Sequence, residues 1–142
     1  MKFLAQLVYK AYLNAQNKIW VKMLSILYNA LLKISNPLIT LSYNNIKLKM
    51  PFSHSLPLYQ KLYPTYDMQL HSIAKHIYNK DGFLNMIDVG ANIGDTAILT
   101  NIQNASYLLI EGEKSYANLI PTNISYNFQG ATIRDISMGG GA

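Results

Sequence analysis

The chain has 142 residues, of which half are apolar, 11% are aromatic and 13% are charged. This composition can support a sizeable core and argues against wholesale disorder. Cysteine is absent, which excludes disulfides, thiolate metal sites and a cysteine nucleophile, and fits a reducing compartment.

Positive and negative charges are separated along the chain. Residues 1–66 contain eight lysines and no acidic residue, whereas residues 67–142 contain four basic and seven acidic residues. The first part would attract anions such as phosphate or lipid headgroups, and the second carries the acidic positions of a ligand site.

Residues 2–34 are predicted to form one or two helices. Polar residues from Lys10 to Lys33 recur at steps of mainly three and four and form a single stripe, with Trp20 and Tyr28 among the apolar residues off it. Ser35-Asn36-Pro37 then ends the helical segment, because proline biases its predecessor away from helical dihedrals.

Neither apolar stretch of this segment is predicted to be a signal peptide or a membrane span. Residues 3–9 are interrupted by Gln6 and are not followed by a small-residue cleavage site. Residues 19–32 contain Lys22 and fall short of the roughly 20 apolar residues that a span requires.

A β-hairpin is predicted next, because alternating runs at residues 38–43 and 46–50 flank Asn44-Asn45. Residues 51–64 contain three prolines and two serines and are predicted to be an irregular connector.

A helix is predicted over residues 68–79, capped by Asp67 and ended by Asp81-Gly82. Tyr66-Asp67 could alternatively contribute to a cofactor pocket. Four side chains are predicted to form the buried face of this helix: Leu70, Ile73, Ala74 and Ile77.

From residue 83 the pattern becomes an alternation of short apolar strands and helices. Strands are predicted at residues 83–89, 106–110 and 131–138, and helices at residues 95–102 and 116–126. Pro121 should fall in the first turn of the last helix or kink it. This order predicts βαβ units and a parallel sheet, hence an α/β fold.

The first of these strands runs into a glycine turn, Ile87-Asp88-Val89-Gly90-Ala91-Asn92-Ile93-Gly94-Asp95-Thr96. Glycines let the chain turn tightly and let a ligand approach the backbone, and the amides that open the next helix face that ligand. The spacing is not the G-x-G-x-x-G dinucleotide fingerprint, which speaks against a nicotinamide-nucleotide protein. Asp88 would repel a pyrophosphate but suits a cationic ligand such as S-adenosylmethionine. The alternatives are an ordinary turn without a ligand and, for Asp95, a simple helix cap.

A second acid, Glu111, ends the next predicted strand 21 residues after Gly90. In doubly wound sheets ligands bind beyond the carboxyl ends of the strands, and an acid at about this spacing binds ribose hydroxyls. The alternative interpretation of Glu111 is a solvated charge at a strand end.

These motifs resemble those of the FkbM-type methyltransferases. The glycine turn matches the first motif of that family nearly residue for residue, and Glu111-Gly112 is similar to its acidic strand end, where proline usually follows the acid. Leu119 and Asn123 resemble a Leu-x-x-x-Asn pattern in the following helix. Looser similarity begins upstream at Pro57-Leu58-Tyr59, so that the resemblance covers about residues 50–138.

The resemblance implies a Rossmann-like class I methyltransferase fold, S-adenosylmethionine as the cofactor, and methyl transfer to a hydroxyl of a sugar or secondary metabolite. The turn residues would surround the methionine end of the cofactor, Glu111 would hold the ribose, and the strand end near Ile136 and Ser137 would lie beside adenine. The cofactor-binding residues implied are Asp88, Gly90, Ala91, Asn92, Gly94, Glu111 and Ser137.

The departure from the family pattern is length. The family fold has a seven-stranded sheet ordered 3-2-1-4-5-7-6, and this chain is expected to supply the first three strands, as an N-terminal fragment. The positions that orient the acceptor are missing, so no catalytic residue is assigned. An unpaired apolar first strand predicts poor solubility and no turnover from residues 1–142 alone.

Three parts are therefore predicted: a basic amphipathic helical segment at 1–36, a hairpin and connector at 37–66, and a partial S-adenosylmethionine-binding domain at 67–142. The expected partner is a small-molecule or glycan acceptor, without nucleic acid. The expected location is cytoplasmic, with peripheral contact at the inner face of the membrane through residues 1–34 as an open alternative. The competing hypothesis is a non-catalytic membrane- or partner-docking module with a vestigial nucleotide-binding loop.

No metal site is predicted. His71 and His76 lie five residues apart on one predicted helix, a poor spacing for shared ligation, and His54 is isolated.

Overall fold

The computed structural model describes residues 1–65, 67–128 and 132–137, with residues 133–137 described by their backbone alone. The chain forms two compact units, Met1–Pro64 and Thr65–Ala142. The helical segment and the hairpin, separated at residue 36 in the prediction, both belong to the first unit.

The first unit is a helix pair packed with a two-stranded antiparallel sheet. Its elements are α1 (Lys2–Asn14), α2 (Lys18–Ile34), β1 (Leu38–Tyr43), β2 (Ile46–Pro51) and α3 (Leu56–Leu62). The predicted hairpin is confirmed, with Tyr43 opposite Ile46 and Leu38 opposite Pro51. Asn44 and Asn45 both have positive φ, at 47° and 63°, which is the pattern of a two-residue hairpin turn.

Three aromatic side chains form the centre of this unit. Tyr9 of α1 and Tyr28 of α2 both pack on Phe52, which follows β2, with ring centroids 6.1 Å and 4.8 Å from it. Both phenol hydroxyls donate to backbone carbonyls, Tyr9 to His54 and Tyr28 to Phe52. The helices therefore turn their buried faces toward the hairpin and the segment after it.

The prediction of an irregular connector at residues 51–64 is wrong over α3. Pro57 lies in the first turn of that helix, where proline is tolerated because the first amides lack intrahelical partners in any case. Lys61 of α3 donates to the carbonyls of Tyr12 and Ala15, at the C-terminal end of α1. A cation is favourable there because it meets the negative end of the helix dipole.

The second unit is an α/β arrangement. Its elements are α4 (Met68–Asp81), β3 (Asn85–Val89), α5 (Asp95–Thr100), β4 (Ser106–Glu111), α6 (Lys114–Ala117), α7 (Ile120–Asn127) and β5 (Thr132–Ser137). The predicted parallel sheet is confirmed, with strand order β3-β4-β5. The helix predicted at residues 116–126 is instead divided into α6 and α7, and Pro121 lies in the first turn of α7.

Within the described part of the chain, helices cover one face of this sheet and leave the other face exposed at β3. Tyr107 of β4 contacts Thr100 of α5 and stacks on Phe128, which places α5 and the end of α7 over the covered face. The side chains of Ile87 and Val89 on β3 point to the opposite face of the sheet, because successive strand residues alternate between faces. Their exposed fractions are 68% and 77%. Among the described residues β3 pairs with β4 alone.

Two predictions for α4 are wrong. Asp67 adopts a left-handed conformation at φ 58° and its side chain makes no capping hydrogen bond. Of the predicted buried face, Ala74 is buried and Leu70 is half-buried, whereas Ile73 and Ile77 are exposed although α4 packs on α5. Gly82, in the left-handed conformation, ends the helix as predicted.

Among the described residues, none of the helices combines the length and the hydropathy needed to cross a bilayer.

Candidate functional site

The glycine turn between β3 and α5 doubles back onto the end of β4. The amides of Gly90 and Ala91 both donate to the carbonyl of Ile110, at 2.8 Å and 3.0 Å. Gly90, Asn92 and Gly94 have φ of 84°, 52° and 84°. Residues other than glycine and asparagine rarely adopt this left-handed region. The turn thus needs small or specialised residues at these three positions.

The two glycines differ in what surrounds them. A Cβ added to Gly90 would meet no atom within 4 Å, so the backbone there borders open space. A Cβ added to Gly94 would lie 3.5 Å from Cγ2 of Ile120 in α7. A ligand could therefore approach the main chain at Gly90, whereas Gly94 packs against α7.

Glu111 is brought directly to this turn. Parallel pairing places Val89 beside Ile110, so the ends of β3 and β4 lie side by side. One carboxylate oxygen of Glu111 accepts from the amide of Asn92 and the other from the amide of Glu113, each at 2.7 Å. The predicted neighbourhood of the two motifs is therefore present, and Glu111 additionally holds the turn in place.

Three side-chain oxygens of the turn are buried without a hydrogen-bond donor. They are Oδ2 of Asp88, Oδ1 of Asn92 and Oδ1 of Asp95. Buried polar atoms in proteins are normally paired, because an unpaired acceptor forfeits its hydration. A cluster of unpaired acceptors with two carboxylates can bind a ligand that carries positive charge and several N–H or O–H donors.

Burial raises the pKa values of both aspartates in the turn. For Asp88 the main cause is burial, opposed by a hydrogen bond from Thr96 and reinforced by the negative charge of Glu111. Burial raises the pKa of Asp95 to about 6, with backbone hydrogen bonds opposing the change and the charge of Asp88 adding to it. Ionising these two buried carboxyl groups is therefore energetically unfavourable, and a bound cation would reduce that penalty.

A further residue, Asn123 of α7, supports the turn. Its side chain is completely buried, and its amide nitrogen donates to the carbonyl of Ile93 at 2.9 Å. Sequence reasoning included Asn123 only as part of a family pattern and gave it no role. The available signal was a lone amide on the apolar side of a helix, since a polar residue in that place needs a partner.

The remaining cofactor-binding candidates lie at the same end of the sheet. Ala91 is completely buried within the turn. The backbone of Ser137 pairs with Glu111 and that of Ile136 with Ile110, while their side chains lie outside the described residues. Tyr66 also lies outside the described residues.

The histidines have structural roles or lie apart from one another. Nδ1 of His71 is 2.7 Å from the carbonyl oxygen of Thr100, which ties α4 to α5. In the first unit, Nδ1 of His54 accepts from the amide of Leu56 at 3.4 Å. Residues 1–65 and 67–128 bring no three histidine or acidic side chains together in a group that could hold a metal ion.

Comparison with protein-family models, with curated proteins and with solved structures found no match to this chain.

Proposed function

We propose that the second unit binds S-adenosylmethionine and serves as the cofactor-binding part of a methyltransferase with a Rossmann-like fold. The proposal depends on one observation: Asp88, Asn92 and Asp95 each present a buried, unpaired oxygen in a single turn. The bound cofactor would supply a methyl group activated by a sulfonium centre.

The charge of the turn favours the methionine end of this cofactor over a phosphate. The α-ammonium group has three N–H donors, and hydrogen bonds from a cation to carboxylates are stronger than those between neutral groups. A pyrophosphate would face Asp88 and Asp95, whose pKa values are already raised by burial. Repulsion between the pyrophosphate and these carboxylates would add to the penalty of burying them, which argues against a dinucleotide at this turn.

Glu111 retains the capacity to bind the ribose. Each of its carboxylate oxygens accepts one backbone amide, and a carboxylate oxygen has a second lone pair available. Two vicinal hydroxyls can donate to those remaining positions. Because the same carboxylate fixes Asn92, occupancy of the ribose position would also stiffen the turn.

The proposed reaction is O-methylation of a hydroxyl on a sugar or secondary metabolite, which follows from the resemblance of the turn and Glu111 to the FkbM-type pattern. Direct displacement needs alignment of the acceptor and a positioned proton acceptor. We assign no residue to the proton-accepting role.

Isothermal titration calorimetry of the chain with S-adenosylmethionine and with S-adenosylhomocysteine tests the proposal. We expect saturable binding of both compounds. Asp88→Asn should weaken S-adenosylmethionine at least about tenfold, since it removes a hydrogen-bonded charge worth roughly 1.5–3 kcal/mol. S-Adenosylhomocysteine carries the same α-ammonium group and should be weakened by a similar factor.

Asp81→Asn is the matched control, because it removes the same charge from an exposed position at the end of α4. It should leave both affinities unchanged. Failure of the wild-type chain to bind either compound, or binding of NADH in their place, would show that the proposed ligand is wrong.

A further inference from the structure

Helix α2 exposes an apolar face in addition to the one it buries. Tyr28 and Leu31 point into the first unit, whereas Trp20 and Leu27, also apolar in the sequence pattern, are exposed. Six exposed apolar residues recur at steps consistent with a single helical face. This face, here called the outer stripe, consists of Ile19, Trp20, Met23, Ile26, Leu27 and Ile34.

A row of polar residues borders the outer stripe. Lys18, Lys22 and Lys33 are all exposed, and Ser25 and Asn29 complete their row at steps of three and four. The helix therefore has three faces: a buried apolar face, the exposed outer stripe, and lysines along one side of that stripe.

Helix α1 repeats this arrangement near its start. Phe3, Leu4 and Leu7 are exposed, Phe3 at 76%, and Lys2 and Lys10 are exposed beside them. Tyr9 and Tyr28 both turn toward Phe52, so each helix carries its exposed apolar residues on a face other than the one that it packs within the unit. Each helix thus presents an exposed apolar surface edged by lysines.

We propose that this surface docks in the plane of an anionic lipid bilayer. Such a membrane provides an apolar layer for the outer stripe and negative headgroups for the lysines beside it. Charge complementarity selects this occupant, since residues 1–66 contain eight lysines and no acidic residue.

The chemistry of the outer stripe fits insertion to the depth of the headgroups. Trp20 has an apolar ring and a polar N–H, a combination that favours the boundary between lipid and water. Lysine side chains can extend from the edge of a buried stripe toward phosphates. Since none of the helices described in the first unit is long and apolar enough to span a bilayer, α1 and α2 would lie along the surface.

Trp20 is the only tryptophan in the chain and lies in the outer stripe, so its fluorescence reports docking directly. The full chain is titrated with vesicles of phosphatidylcholine containing phosphatidylglycerol, and with vesicles of phosphatidylcholine alone. We expect a shift of emission to shorter wavelength with the anionic vesicles, quenching by brominated acyl chains, and weakening at high salt.

Two double variants test the two parts of the surface while keeping Trp20. Lys18→Gln with Lys22→Gln should weaken binding to anionic vesicles by about fivefold for each lysine. Ile19→Ser with Ile26→Ser should weaken it by about tenfold for each isoleucine. These side chains are exposed, so circular dichroism should show the fold retained.

Lys75→Gln with Lys80→Gln is the matched control, because it removes the same charge from exposed positions on α4. It should leave vesicle binding unchanged. The proposal is overturned if anionic vesicles do not shift the emission of Trp20, if neutral vesicles bind equally, or if the control weakens binding as much as Lys18→Gln with Lys22→Gln. A blue shift that grows with protein concentration in the absence of lipid would instead assign the outer stripe to contacts between protein molecules.

Discussion

Replacing Asp95 with asparagine isolates the cost of an ionised carboxylate inside the glycine turn. Burial raises the pKa of Asp95 from 3.8 to about 6. A shift of about two units corresponds to roughly 3 kcal/mol of penalty once the group is ionised in both states. Asparagine keeps the shape and removes the charge, so Asp95→Asn should raise the free energy of unfolding of the second unit at neutral pH by up to about 3 kcal/mol.

The effect of Asp95 on the free energy of unfolding depends on pH. Because the folded-state pKa is raised, the folded state holds its proton more tightly than the unfolded state. The favourable contribution is fully present below about pH 4 and is lost as pH rises through about 6. Between about pH 5 and about pH 7 the wild-type chain should lose roughly 1 kcal/mol more stability than Asp95→Asn does.

Urea denaturation followed by far-ultraviolet circular dichroism measures both quantities, and hydrogen exchange of peptides from β3 and β4 assigns the change to the second unit. Tryptophan fluorescence would report on the first unit instead, since the single tryptophan is Trp20. Asp81→Asn should leave the difference between the two pH values as it is in the wild type. If Asp95→Asn is less stable than the wild type at neutral pH, the carboxylate is paired in the folded protein and the reasoning fails.

Three further substitutions probe the frame of the site through the free energy of unfolding. Gly90→Ala should cost about 1–2 kcal/mol, because its φ of 84° is unfavourable for a Cβ although the space beside it is open; no loss in urea denaturation would contradict this. Asn123→Leu should cost about 1–3 kcal/mol by leaving the carbonyl of Ile93 unpaired, and should speed hydrogen exchange in the turn. Tyr107→Phe should cost a similar amount, about 1–3 kcal/mol, since its buried hydroxyl bonds Thr100 and the backbone of Ile102; a neutral result would mean that water replaces the hydroxyl.

The strands and the glycine turn were predictable because their signals are local. Alternation set the hairpin, and short apolar runs followed by glycine set β3 and its turn. The proximity of Glu111 to Gly90 followed from parallel pairing alone, because consecutive parallel strands bring their carboxyl ends together. The hydrogen bond from Asn92 to Glu111 was not predictable, since it depends on the conformation of the turn.

The errors came from features that depend on neighbours. Periodicity predicts a buried apolar face for α4, yet Ile73 and Ile77 are exposed. A periodic pattern shows that a helix has an apolar face, but it does not show which element covers that face. The three prolines and two serines of residues 51–64 predict an irregular connector and hide α3, although a proline such as Pro57 is compatible with a first helical turn. Asp67 has a side chain suited to capping but a left-handed backbone, and its side chain does not cap α4.

The turn treats its polar groups in two ways, and this contrast supports the proposed site. Glu111 and Asn123 each make hydrogen bonds to the backbone and hold the turn from two sides. Within the described residues of the second unit, the buried side-chain oxygens without a partner are those of Asp88, Asn92 and Asp95. In a loosely packed turn, unpaired polar groups would be scattered among all of its residues. Each buried unpaired group lowers the stability of the folded state by about 1–3 kcal/mol. Stability lost at these oxygens can be recovered on binding a cationic donor, so Asp95→Asn should stabilise the fold and weaken the ligand together.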